Sequence, residues 1–225
     1  MLLVRHGLEQ AKIMKKLIII LPVVSALWFL TTIILAGAYE PDYQHMSQYI
    51  SELGATGAAN GQWVNLGGFI PASVLLVFFV VMAISHSSGQ KKQLLGLMGI
   101  AVYAVTLGIA ALYPCDSGCR PQNPSVSQLI HNLSAMSGYL SAVAAVFLLA
   151  SYVKQHGSKI LSIVGYIFGA VASIMFFLLN PEFPLLGLAQ RVFELSIYLW
   201  ILLYSLHLNA EIRNRNNRGD TSNIM

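Results

Sequence analysis

The amino-acid sequence predicts an all-α fold, a polytopic membrane helix bundle with six transmembrane helices and a short amphipathic helix on its outer face. Of the 225 residues, 56% are apolar and only 10% are charged, whereas about a quarter of a soluble domain is charged. Six apolar stretches each approach the ~20 residues that a helix needs to cross a bilayer. The 13 Lys and Arg residues also divide unevenly, because all but Arg120 and Arg191 fall in segments that one topology places on the same side.

The six predicted spans are assigned as helices because unpaired backbone groups are too costly in lipid. They cover residues 17–38, 63–85, 94–112, 129–152, 160–179 and 188–208. The first apolar run is longer than the apolar core of a signal peptide, which has about 7–15 residues, so we interpret it as an uncleaved helix. Residues 1–16 and 209–225 are predicted to be cytoplasmic tails, the second of them disordered, and either Met1 or Met14 is taken as the start.

The charge distribution predicts the orientation and the surroundings of the chain. Cytoplasmic loops collect Lys and Arg, so both termini are expected in the cytoplasm and the protein in a plasma (inner) membrane, with membrane lipids as partners. The formal net charge of +4 is interpreted as a basic rim that anionic headgroups attract. Nucleic-acid binding is not expected, because the basic residues are scattered over four short segments.

The first outer loop, residues 39–62, contains the predicted amphipathic helix. Asp42 is a favourable N-cap, and Gly54 is a favourable C-terminal stop. Two interpretations stay open: the helix only caps the bundle, or its polar side chains face a cavity. Its apolar face consists of Met46, Ile50 and Leu53, and its candidate functional residues are His45, Ser51 and Glu52.

The second outer loop carries the chain's two cysteines, Cys115 and Cys119, on either side of an Asp116-Ser117-Gly118 turn. A disulfide is favoured because extracytoplasmic compartments are oxidising. The alternative is a pair of metal-ligating thiols, but two cysteines alone do not complete a tetrahedral zinc site, and no metal is predicted. A disulfide would hold Asp116 close to the membrane, in a stapled turn or in a catalytic loop.

Ionisable residues also occur inside the spans. His131 lies about one turn into the fourth span, where a histidine can pack or can transfer protons near neutral pH. Arg191 and Glu194 are three residues apart near the start of the sixth span, with Tyr198 one turn further on. We expect Arg191 to form a salt bridge with Glu194, Asp116 or Glu52; the alternative is an arginine whose head extends outward from the lipid.

These residues predict a site at the outer end of the bundle, with no cofactor. The hypothesis assigns catalysis to His45, Ser51, Glu52, Asp116 and His131, and substrate binding to Arg191, Glu194 and Tyr198. In it the protein binds or processes a lipid or another small amphiphile, and Arg191 holds an anionic headgroup. Whether the protein is an enzyme is left open, since no nucleophile elbow or zinc signature occurs.

Two alternative functions remain: a transporter or channel subunit, and a structural or assembly protein without catalysis. Mid-membrane charges and inverted repeats, which are typical of many transporters, are not evident in the sequence. The assembly alternative depends on small residues that recur every four positions in the fifth span and would let a partner helix approach closely. These residues are Gly165, Gly169 and Ser173.

Three segments together resemble a known family. They are SQYISELGA at residues 47–55, PCDSGC at residues 114–119, and His131-Asn132. They are similar to an uncharacterised prokaryotic family catalogued as domain of unknown function 998. The resemblance implies a six-helix integral membrane protein over nearly the whole chain, and it implies no activity and no catalytic residues.

Overall fold

The computed structural model describes the backbone of residues 2–222 and the side chains of residue 14 and residues 16–215. Within this part the protein is all-α, as predicted, with six helices that are long and apolar enough to cross a membrane. The helices are α1 (Leu2–Tyr39), α2 (Gly61–Ser85), α3 (Lys91–Leu112), α4 (Val126–His156), α5 (Lys159–Phe177) and α6 (Leu186–Ser222).

Each predicted span overlaps one of these helices, and the largest differences lie at the two ends of the chain. Helix α1 begins at Leu2 rather than at residue 17, and α6 continues past residue 208 to Ser222. Polar residues such as Arg, Asn and Lys are acceptable in helices. A helix can therefore continue beyond the apolar segment that defines the span.

Serine N-caps determine where α4 and α5 begin. The Ser125 hydroxyl accepts a hydrogen bond of 3.1 Å from the Gln128 N–H, and the Ser158 hydroxyl accepts one of 3.3 Å from the Leu161 N–H. Serine is a favoured N-cap because its side chain satisfies a donor that the first helical turn leaves unpaired. Only Gly157 and Ser158 connect the two helices, so α4 and α5 form a tight antiparallel hairpin.

The helices pack as neighbours in chain order, and α1 also packs against α6. Six crossings bring both chain ends to the same end of the bundle, here called the terminal end. The opposite end carries residues 40–60, 113–125 and 178–185 and is here called the disulfide end. The core between them is aromatic in large part, with fully buried Tyr103, Tyr152, Phe193, Trp200 and Tyr204.

A polar network lies in the core near the terminal end. Gln93 donates from Nε2 to the Tyr204 hydroxyl over 2.9 Å. The Tyr152 hydroxyl donates to Oε1 of Glu211 over 3.0 Å, and Nε2 of His207 lies 3.2 Å from the same oxygen. These contacts join α3, α4 and α6 and belong to residues that were not among the predicted site residues.

The predicted amphipathic helix at the disulfide end is present but is shorter than residues 42–54. It is a 3-10 helix from Ile50 to Gly54. Asp42 has a φ of 58°, which is unlike the extended conformation of an N-cap. Instead the Tyr49 N–H donates to Oε1 of Glu52 over 2.9 Å, so the helix begins after Tyr49. Ile50 is buried as expected, at 3% exposed.

Candidate functional site

A cavity of about 480 Å³ lies at the disulfide end and extends into the bundle. Residues from α1 to α6, from the 3-10 helix and from the disulfide loop line it. Most of its wall is apolar, and the polar groups are few. They belong to Tyr49, Ser51, Asn65, Tyr103, Thr106, His131, Asn132, Tyr139, Gln190 and Glu194.

Glu194 is the one carboxylate among the residues that line this cavity. It is only 5% exposed and lies eight residues after Leu186, the first residue of α6, or about 12 Å along the helix axis. The Tyr139 hydroxyl donates to Oε1 of Glu194 over 2.7 Å, and the Tyr103 hydroxyl donates to Oε2 in a short contact. Residues of α3, α4 and α6 therefore meet at one buried carboxyl group.

Gln190 connects the hydrogen-bonded group around Glu194 to the 3-10 helix of the first loop. Its Nε2 donates to the Tyr139 hydroxyl over 2.8 Å, and its Oε1 accepts from the Ile50 N–H over 2.7 Å. Gln190 lies one helical turn before Glu194, so both side chains extend from the same face of α6. The chain of hydrogen bonds fixes the 3-10 helix relative to the floor of the cavity.

His131 lines the same cavity, and its tautomer follows from its neighbours. Nδ1 lies 2.9 Å from the carbonyl oxygen of Ala110 and 3.1 Å from that of Tyr113. Carbonyl oxygens only accept, so Nδ1 carries the hydrogen and Nε2 carries the lone pair in the neutral ring. His131 therefore offers the cavity a hydrogen-bond acceptor that can also act as a base.

The structure brings three of the predicted site residues together at the cavity, namely Ser51, His131 and Glu194. The other five predicted residues do not line it. They are His45, Glu52, Asp116, Arg191 and Tyr198. The proposed convergence at one place therefore holds for part of the set.

Arg191 forms a separate cluster with the loop at residues 43–48. Nη2 donates to the Tyr43 hydroxyl over 2.6 Å and to Nδ1 of His45 over 2.9 Å. Nη1 donates to the carbonyl oxygens of Gly187 and Gln48 over 2.8 and 3.2 Å. Partial burial, together with the Arg191 charge, lowers the pKa of His45 below its usual value, since both disfavour the imidazolium.

The predicted salt bridge of Arg191 is wrong. Among the side chains that the structure describes, Arg191 pairs with none of Glu194, Asp116 and Glu52. Side chains three residues apart on an α-helix differ by about 60° in direction. This angle is enough to place Arg191 and Glu194 in different surroundings. Arg191 points to the loop, and Glu194 points into the bundle.

Glu52 and Asp116 organise backbone at the disulfide end. Oε1 of Glu52 accepts from the Tyr49 N–H, and Oε2 accepts from Nε2 of Gln48 over 2.8 Å. Oδ1 and Oδ2 of Asp116 accept from the Ser125 hydroxyl and N–H over 2.7 and 2.9 Å. These two hydrogen bonds lower the pKa of Asp116. Both carboxylates therefore position the segments around the cavity.

Tyr198 lies one turn below Glu194 and is 5% exposed. Its ring stacks on Phe29 with 5.4 Å between centroids, and its hydroxyl lies 3.4 Å from Oγ of Ser25. Phe29 lines the cavity. Tyr198 thus supports the cavity floor from α6 and has no direct place in its wall.

Cys115 and Cys119 are joined by a disulfide, as predicted. Cys119 lines the cavity, and its Sγ lies 3.5 Å from Oγ of Ser51. The Thr56 N–H donates to the Cys115 carbonyl oxygen over 2.8 Å, which ties the disulfide loop to the first loop. Among the described residues, no group of three or more His, Cys, Asp or Glu side chains is arranged to hold a metal ion.

Tyr103, Tyr139 and Gln190, which form the hydrogen-bond network around Glu194, are among the cavity residues that were not predicted from the sequence. Tyrosines are common in apolar spans, so the residue type alone does not indicate that a tyrosine lines a cavity. Spacing does give an indication: Tyr139 lies eight residues after His131, and Gln190 lies four residues before Glu194. Each therefore shares a helix face with a residue that had been identified.

Comparison with known proteins identifies a family but no individual related protein. The family model described as "Protein of unknown function (DUF998)" matches residues 23–207, which confirms the resemblance seen in the sequence. No curated protein and no solved structure matches the chain.

Proposed function

We propose that this chain, which belongs to the DUF998 family of unknown function, binds an amphiphile in the cavity at its disulfide end. The observation that carries the proposal is the cavity itself, about 480 Å³ in volume and lined by residues of six helices that are long and apolar enough to cross a membrane. Ligand sites typically have volumes of about 300–1,000 Å³ and apolar walls with a few polar groups. An acyl or alkyl chain would occupy the apolar part, with its polar group near Glu194.

Two exposed apolar residues of the cavity wall support an amphiphile rather than a water-soluble ligand. Met136 of α4 and Phe177 at the end of α5 both line the cavity, yet they are 53% and 81% exposed. On a membrane-embedded bundle, exposed apolar side chains at this position face lipid. A chain could therefore pass from the bilayer between α4 and α5 without leaving an apolar environment.

The proposal changes the role first assigned to Arg191. That guanidinium does not line the cavity, and four contacts to Tyr43, His45, Gln48 and Gly187 occupy most of its five N–H donors. It holds the 43–48 loop against α6. We therefore do not assign it to an anionic headgroup.

We further propose that the disulfide end is extracytoplasmic and that both termini are cytoplasmic. Two facts support this orientation. Arg120 is the only Lys or Arg in the three segments of the disulfide end, and Arg191 follows them in the second turn of α6; the Cys115–Cys119 disulfide suits an oxidising compartment. The cavity would then open near the outer leaflet.

Photo-labelling tests the binding proposal. Protein in lipid nanodiscs would be irradiated with a fatty alcohol that carries a diazirine near the end of its chain, and labelled residues would be mapped by mass spectrometry. We expect labelling concentrated on cavity residues such as Leu107 and Ala135. Labelling spread evenly over lipid-facing residues of all helices would contradict the proposal.

Two alanines provide a matched pair of variants. Ala135→Phe would fill the cavity, whereas Ala170→Phe adds the same side chain on an exposed surface of α5. The first should abolish labelling at Leu107, and the second should leave it unchanged. Equal labelling in both variants would show that the cavity is not the site.

A further inference from the structure

The carboxyl group of Glu194 has no counter-ion among the side chains that the structure describes. It is 5% exposed, and both oxygens accept hydrogen bonds from tyrosine hydroxyls, as an ionised carboxylate does. A buried carboxylate that stays ionised is costly unless a cation compensates it, so an ammonium group in the cavity would find a favourable partner in Glu194.

The nearby cations of the chain are committed elsewhere. Arg191 contacts the 43–48 loop, as described above. Arg120 donates from Nη1 to the Pro181 carbonyl oxygen over 3.1 Å and lies over the Tyr49 ring, 5.3 Å from its centroid. Neither arginine lines the cavity, and no lysine lines it. The electrostatic character of the wall is therefore set by Glu194.

Several aromatic residues line the same cavity as this carboxylate, and the hydroxyls of two of them, Tyr103 and Tyr139, contact it directly. Rings attract ammonium groups through their negative faces, and sites that recognise quaternary ammonium ions are built from several such rings. The aromatic residues that line the cavity include Phe29, Tyr49, Phe69, Tyr103, Tyr139 and Phe176. A cavity that holds one carboxylate and several aromatic rings favours a cation over an anion or a neutral hydroxyl.

We propose that the ligand is an amphiphile with an ammonium group, which lies against Glu194 and aromatic rings of the cavity wall. This inference rests on the proposed function and specifies the ligand class of the same cavity. The ammonium group can belong to a lipid headgroup such as that of phosphatidylethanolamine, or to a free single-chain amphiphile. Both sources present the same chemistry to Glu194.

Competition against the diazirine label tests the inference. Three dodecyl compounds with equal chains would be added to the protein in nanodiscs: dodecyltrimethylammonium, dodecanol and dodecyl sulfate. We expect the ammonium compound to displace the label at a concentration about tenfold lower than dodecanol does, the ratio that corresponds to one desolvated cation–π and ionic contact. Dodecyl sulfate should be the weakest competitor.

Variants assign the preference to the carboxylate. Glu194→Gln should lower the ammonium preference over dodecanol severalfold, to the part that the aromatic rings provide, whereas Glu194→Asp should retain it and Glu182→Gln should leave it unchanged. Glu182 is exposed at the same end of the bundle and lies outside the cavity, so it controls for net charge. If Glu194→Gln does not fold, the ranking of the three competitors on the unchanged protein still decides.

The outcomes separate the two proposals. If dodecanol displaces the label as well as the ammonium compound does, or if dodecyl sulfate displaces it better, the cationic preference is wrong and the binding site stands. If no cavity residue is labelled, both proposals fall. Added phosphatidylethanolamine that competes would support a lipid headgroup, whereas competition by the free ammonium compound alone would support a free amphiphile.

Discussion

Tyr139 and Glu194, 55 residues apart in sequence, are joined by a hydrogen bond of 2.7 Å between the tyrosine hydroxyl and Oε1 of the carboxylate. The same hydroxyl accepts from Nε2 of Gln190 over 2.8 Å. The Tyr139 hydroxyl of α4 therefore connects the Gln190 amide and the Glu194 carboxylate, both of α6. Because all three groups are buried, each depends on the others for its hydrogen bonds.

Removing this hydroxyl should destabilise the protein. Tyr139→Phe leaves Nε2 of Gln190 without its acceptor and Oε1 of Glu194 without its donor, at a cost of about 1–3 kcal/mol for unsatisfied buried groups. The measurement is the free energy of unfolding in detergent. Tyr113→Phe is the control, because Tyr113 is 44% exposed, and it should change stability little. Equal effects of the two substitutions would contradict the network.

The orientation predicts where the two cysteines react. In intact cells, an impermeant reductant followed by an impermeant maleimide should label Cys119, which is partly accessible, whereas the maleimide without reduction should label neither cysteine of the Cys115–Cys119 disulfide. The physical reason is that a thiol must be free before it reacts.

A cysteine at the terminal end provides the matched control for this orientation. In a chain with Cys115→Ser and Cys119→Ser, the substitution Gln90→Cys would place a thiol at an exposed position between α2 and α3. It should be labelled only after the cells are permeabilised. Labelling of Gln90→Cys in intact cells would reverse the orientation.

His45 should contribute to the pH dependence of stability. Its pKa in the folded protein is lowered by burial and by Arg191, whereas the unfolded chain has a value of about 6.5. As the pH falls through about 6.5, the unfolded chain takes up a proton that the folded chain does not, so the free energy of unfolding decreases. This contribution is absent at higher pH, where His45 is neutral in both states.

His45→Gln tests this contribution. The amide oxygen can still accept from Arg191, but the side chain no longer titrates. The melting temperature in detergent should decrease less between about pH 7.5 and about pH 5.5 in the variant than in the unchanged protein. An identical decrease in both proteins would show that His45 is not coupled to folding.

The six spans were predictable because the bilayer fixes the length of an apolar helix, and the disulfide followed from two cysteines in one short loop. The surroundings of the carboxylates at the disulfide end were not predictable, for a local reason. A catalytic role for Glu52 and Asp116 stays a prediction, and the structure adds that they accept short-range hydrogen bonds from the Tyr49 and Ser125 N–H groups. Sequence shows that a carboxylate is present and does not show which backbone N–H groups it reaches.

Pairing of charges was a source of error. The spacing of Arg191 and Glu194 placed them near one helical face, and attraction between opposite charges was expected to join them. The position of the 43–48 loop decided the outcome, since it offers Arg191 acceptors such as the Tyr43 hydroxyl. Tyr43 lies 148 residues before Arg191 in the chain, so the position of the loop follows from tertiary structure and not from local spacing.

The small-residue stripe of α5 yields the last prediction. A partner helix outside the chain was predicted for Gly165, Gly169 and Ser173, and that remains a prediction. Within the chain, a Cβ on Gly165 would lie 2.5 Å from Cη2 of Trp200 and 2.8 Å from Cβ of Ala150. Gly165 therefore already allows α5 to pack closely against α4 and α6.

Gly165→Leu should accordingly destabilise the chain itself, by about 1–3 kcal/mol or more, because no space exists for the added side chain. Ala170→Leu adds a side chain of the same type on the exposed surface of α5 and should change stability little. The measurements are the free energy of unfolding and the yield of chemically cross-linked complexes in membranes. Loss of complexes with unchanged stability in Gly165→Leu would favour an external partner helix, since intrachain packing predicts loss of stability first.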